Sequence, residues 1–151
     1  MSANLYMKGF NVTYVDIDGI NMEFAKFLFG KKKLKIKVID VERDWEEIWA
    51  KDYDTILCID VIEHVTNPKE LLENMINSLR GGGRLIINQI DCAGPTPEHP
   101  MHFKINFNVE EFLLKRGLRR DKKYKWLWVK EGDEDGNDKE SENMDRIKMQ
   151  R

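Results

Sequence analysis

The stretch Tyr53-Asp54-Thr55-Ile56-Leu57-Cys58-Ile59-Asp60-Val61-Ile62-Glu63-His64-Val65 decides the fold. From Thr55 to Ile62 it is almost continuously apolar, the pattern of a parallel strand covered on both faces, which predicts a central position in a sheet. Asn67-Pro68-Lys69-Glu70 follows with an N-cap residue, a proline at the first helical position and a glutamate three residues after the cap. Leu71, Leu72, Met75, Ile76 and Leu79 supply the buried stripe of that helix, and Gly81 is expected to end it.

Outward from this strand-helix unit the same alternation repeats. Upstream, Asn11 to Ile17 is rich in β-branched and aromatic residues and reads as a strand. Ile20, Phe24, Phe27 and Leu28 then fall on one helical face, expected to be the inner one, with Gly30 as the stop. Leu34, Ile36 and Val38 alternate with Lys33, Lys35 and Lys37, as on a strand at a sheet edge. Trp45, Ile48 and Trp49 suggest a short helix. Downstream, Gly81 to Gly83 form a turn before the strand Arg84 to Ile90, and Asp91 to Asn106 is a loop with three prolines and two histidines. Loops of that length in a compact domain are often functional. Asn108 to Glu111 repeats the Asn-x-x-Glu cap, Gly117 closes the helix, and Tyr124 to Val129 is a last strand. The reading is a doubly wound, Rossmann-like α/β domain over residues 1–130, its sheet mostly parallel with right-handed crossovers. A charged tail over 131–151 has too little apolar surface to offset the entropy of ordering.

The 25 basic and 27 acidic residues leave a formal charge of -2, which argues for neither a nucleic-acid nor a membrane partner. The basic clusters Lys31 to Lys37 and Arg116 to Lys125 read as solvated edges. The two cysteines, Cys58 and Cys92, with Cys58 inside an apolar run, fit a reducing, cytoplasmic setting. No apolar run approaches the roughly 20 residues that span a bilayer.

In an open α/β sheet the ligand crevice lies outside the carboxyl ends of the strands. Three predicted strand ends carry acids: Asp16 with Asp18, Asp40, and Asp60. A carboxylate at such an end accepts bonds from ribose hydroxyls. Alternatively, Asp18 caps a helix and Asp40 ends a strand in a turn.

These blocks, Val12 to Asp18, Val38 to Val41, Tyr53 to Val65 and Leu79 to Ile87, resemble those of class I S-adenosylmethionine-dependent methyltransferases over residues 8–117. Asp60-Val61-Ile62-Glu63-His64-Val65 resembles the small-molecule O-methyltransferases of ubiquinone biosynthesis. The resemblance implies S-adenosylmethionine as cofactor, with Asp16 on its ribose and Ile17 beside it. It implies Asp40 at the adenine amino group, Val41 donating its backbone amide, and Cys58, Ile59 and Asp60 along the methionine moiety. The family's opening strand and glycine-rich turn have no counterpart in the sequence and are expected upstream of residue 1, so the fold is read as incomplete. That strand lies centrally in the family, so its absence predicts unpaired strand edges and a homodimer, a rearranged sheet or a chain completing the sheet.

The histidines are the remaining candidates for chemistry. His64 and His102 are the candidate catalytic groups, with His99 in the same loop. Asp60, Glu63 and His64 are weak candidates for a divalent ion, although no metal is expected, and Glu63 and His64 equally suit hydrogen bonds to the next helix. Three functions follow: methyl transfer to a small-molecule acceptor, a non-catalytic methyltransferase-like module acting through protein contact, or a nicotinamide-binding Rossmann fragment. The last leaves Asp40 and the Asp60 to Val65 segment without a role.

Overall fold

The structure is a computed structural model that describes residues 1–49, 52–88, 90 and 92–132. The expected tail, 131–151, lies almost wholly outside the described residues. The elements run α1 (Ser2–Met7), β1 (Thr13–Asp16), α2 (Ile20–Lys31), β2 (Lys37–Asp40), α3 (Trp45–Trp49) and β3 (Tyr53–Cys58). A 3-10 turn (Ile62–His64), α4 (Pro68–Ser78), β4 (Leu79–Ile87), α5 (Val109–Lys115), β5 (Leu118–Arg120) and β6 (Leu127–Lys130) complete them.

Strand pairing forms two sheets. β1 lies parallel to β2, with Asp16 opposite Asp40. The second sheet has the order β3-β4-β6-β5, parallel between β3 and β4 and antiparallel beyond. The α/β class, the parallel crossovers and β2 as an edge match the reading of the sequence. β3 does not take the central place expected of it: among the described residues it pairs only with β4, and Thr55 and Leu57 stay exposed. Its apolar run suits two neighbours, and no described strand joins β1 to β3.

The larger core lies between β3, β4, β6, α4 and α5. Leu72, Leu85, Leu113 and Trp128 are wholly buried there, beside Cys58, Met75 and Ile87. Asn67 and Asn108 cap their helices as expected, each Oδ1 accepting from the amide three residues on. Lys130 Nζ donates to the Ile76 and Leu79 carbonyls at 2.9 and 2.7 Å, so a cation satisfies the carboxyl end of α4. The smaller core joins Ala3, Ala25, Phe29 and Ile36.

Three local expectations change. The inner face of α2 is Met22, Ala25 and Phe29, whereas Ile20, Phe24 and Phe27 point outward. The helix passes through Gly30 and turns at Lys33 (φ 55), where the Leu34 amide reaches back to the Phe29 carbonyl at 2.9 Å. Gly81 to Gly83 belong to β4, where the register slips between Tyr53 and Thr55, and a Cβ on Gly83 would come within 2.8 Å of the Arg80 carbonyl.

Burial, helped by the nearby Glu63, pushes the Cys58 thiol up to about 12, whereas Cys92 is only half-buried. At mildly alkaline pH a disulfide reagent should therefore titrate one thiol of the native protein quickly and the second only in denaturant. Two fast thiols in the native state would contradict this packing.

Candidate active site

The parallel register sets two carboxylates side by side at the ends of β1 and β2. Asp16 Oδ1 accepts from the Ile17 amide at 2.9 Å, and Oδ2 accepts from the Tyr14 hydroxyl at 2.5 Å. Each oxygen keeps a second lone pair, so the group still accepts from an outside hydroxyl. Asp40 is buried, and its Oδ1 accepts from the Glu42 amide at 3.0 Å. The Val41 amide donates to the Asp16 carbonyl at 3.0 Å, so that donor is already engaged. A cavity of about 280 Å³ has Tyr14, Asp16, Asn21 and Phe24 among its walls.

The second group of residues follows β3. Asp60 takes a left-handed backbone conformation (φ 52), which aspartate tolerates better than most residues. A reciprocal bond holds it: the Asp60 amide donates to Asn88 Oδ1 at 2.8 Å, and Asn88 Nδ2 donates to Asp60 Oδ1 at 2.6 Å. Asn88 extends the end of β4 and was not singled out in the sequence. The 3-10 turn then buries Glu63 and leaves His64 exposed.

The loop after β4 folds back onto this turn. The Phe103 amide donates to the Glu63 carbonyl at 2.6 Å, and His64 Nδ1 lies 3.3 Å from the Met101 carbonyl. A carbonyl only accepts, so Nδ1 carries the proton and Nε2 is left with a free lone pair. His102 packs edge-on to His64 at 4.8 Å and is stacked with His99 at 4.7 Å. Its Nδ1 lies 3.7 Å from Cys92 Sγ. All three histidines of the chain thus converge.

Glu63, His64 and His102 present ligand atoms within 4.8 Å of one another. Glu63 Oε2 is buried without a hydrogen-bond partner, and such a group costs about 1–3 kcal/mol unless something satisfies it. A divalent cation or an imidazolium fits that need. Asp60, the third residue weighed for a metal, is instead tied to Asn88 and stands outside the group.

The methyltransferase-domain family model matches residues 1–133. The chain belongs to the methyltransferase-domain family. It is 31% identical over 96 residues to the ubiquinone biosynthesis O-methyltransferase of Rickettsia bellii (strain OSU 85-389), covering 60% of this chain and 38% of that protein. The Rickettsia typhi enzyme of the same name is 33% identical over 96 residues, with 60% and 37% covered. The chain thus spans well under half the length of these relatives. Among solved structures, the [4+2]-cyclase SpnF superimposes with a TM-score of 0.54 at 13% identity, covering 78% of this chain and 47% of that one. At that identity the likeness shows the fold alone, a Rossmann-like α/β domain.

Burial first, then the hydrogen bond and charge of Asp16, pushes the Tyr14 hydroxyl up to about 12. Its folded value exceeds the unfolded one of about 10, so its contribution to stability is present below that pH and fades as pH rises toward 12. Tyrosine ring resonances should show Tyr14 titrating near the upper value. In Asp16→Asn the midpoint should fall only part of the way, because burial, the larger cause, remains. A wild-type midpoint near the ordinary tyrosine value would contradict the contact.

Proposed function

We propose that the chain takes part in methyl transfer from S-adenosylmethionine to a small acceptor bearing a hydroxyl or amine. The observation that carries this reading is the register match of Asp16 with Asp40 at adjacent strand ends, in a member of the methyltransferase-domain family. Asp16 would hold the ribose, with Ile17 beside it. Asp40 and Val41 would lie at the adenine, and Ile59 and Asp60 along the methionine portion. When bound, S-adenosylmethionine supplies a methyl group on a sulfonium, open to in-line displacement.

The chain's own groups would position the acceptor and manage its proton. His64 Nε2 offers a base for the departing proton of an acceptor hydroxyl, and His102, packed against it, is the alternative. Glu63, buried beside both rings, offers a carboxylate oxygen that has no other hydrogen-bond partner. A divalent cation, if used, would be held by Glu63, His64 and His102 and would acidify a coordinated hydroxyl. Holding the acceptor in line supplies much of the acceleration, so a single histidine variant should slow the reaction rather than abolish it.

Titration calorimetry with S-adenosylmethionine and S-adenosylhomocysteine tests this reading. Saturable binding of both is expected, with a loss on the order of tenfold or more in Asp16→Ala, the equivalent of one charged hydrogen bond. No heat at millimolar ligand, or unchanged affinity in the variant, would contradict it.

A second reading is favoured by the edges of β1 and β3 that stay unpaired among the described residues: a methyltransferase-like module completed by contact with another chain, a second copy included. Sedimentation velocity should then show a concentration-dependent dimer or larger species. A monomer at all concentrations would remove self-association from this reading.

A further inference from the structure

We propose that the outer face of α2 and the lysines that follow it dock the chain on an anionic lipid surface. The helix is apolar on two opposite sides. Met22, Ala25 and Phe29 face the protein, while Ile20, Phe24 and Phe27 are 83%, 63% and 62% exposed. Steps of four and three residues place those three on one outward stripe, a full half-turn from the buried one.

The exposed charge on and just after this helix is predominantly positive. Lys26, Lys31, Lys32, Lys33 and Lys35 are exposed, and none is in an ion pair among the described residues. Glu23 is the only acid between Gly19 and Ile36. Lys31 Nζ lies over the Phe27 ring, 5.8 Å from its centre, so one cation sits directly against the apolar stripe. A protein of net charge -2 thus carries five exposed lysines, outside any ion pair among the described residues, on and just after a helix with three exposed apolar side chains.

This composition selects the partner. A second copy would bring two like-charged surfaces together, which repel. An anionic bilayer accepts both features: Ile and Phe enter the boundary between headgroups and acyl chains while lysines meet lipid phosphates. Such a helix lies on the membrane, and among the described residues no helix is long and apolar enough to cross one. The docking holds whether or not the chain transfers methyl groups.

Co-sedimentation of the whole chain with vesicles tests it, comparing phosphatidylcholine alone with phosphatidylcholine containing phosphatidylglycerol. The chain should pellet with the anionic vesicles only and leave them at high salt. The partition coefficient should fall by roughly tenfold or more in Lys31→Gln/Lys32→Gln/Lys35→Gln, since each cation near such a surface counts separately. Phe24→Ser/Phe27→Ser should lose a similar factor with an unchanged thermal unfolding midpoint, because both rings are exposed. If that variant unfolds early, the lysine variant decides alone. The proposal is overturned if the wild type stays in the supernatant, if neutral vesicles pellet it equally, or if the lysine variant binds as the wild type does. Self-association lost in Phe24→Ser/Phe27→Ser, with vesicles ignored, would overturn it in favour of a protein partner.

Discussion

The parallel register of β3 against β4 is the constraint on which the larger half of the molecule depends. It sets Cys58 opposite Ile87 and carries the buried side chains that meet α4, α5 and Trp128. One residue past the ladder, Asn88 fastens Asp60 in a left-handed turn. The chain therefore leaves the strand at a fixed angle, which buries Glu63 and presents His64 to the folded-back loop. A slip of one residue would turn every side chain of β3 to the other face and separate the histidines as well.

The smaller unit obeys a parallel rule. β1 and β2 are short, yet their register puts two acids at one end of the sheet, where open α/β folds bind their ligands. Together with membership of the methyltransferase-domain family, that placement is what supports the proposed cofactor site. The chain covers only part of its ubiquinone-biosynthesis relatives, so their full activity enters as a proposal.

Local signals were the legible ones. Asn67 and Asn108 lie within three residues of the amides they cap, and the strand-end acids follow from alternation and length. Periodicity failed at α2 because that helix has two apolar stripes, and spacing cannot say which is buried: Met22, Ala25 and Phe29 won because Phe29 and Ala25 meet Ala3 and Ile36. The pairing of His102 with Glu63 and His64 was illegible for a different reason. It depends on a loop that folds back across nearly forty residues through the Phe103 amide and the Met101 carbonyl. Asn88 gave no signal either, since its role exists only once β3 and β4 are side by side. Burial over both faces was predicted for β3 from its apolar run, and that run could not tell whether both neighbours would be present.

An amide NMR titration with S-adenosylhomocysteine tests most directly whether the strand ends form a cofactor site. The assignment predicts saturable shifts at Ile17, Val41, Ile59 and Asp60, spanning both sheets and leaving β5 and β6 unmoved. No shifts, or shifts confined to residues away from the ends of β1, β2 and β3, would contradict it.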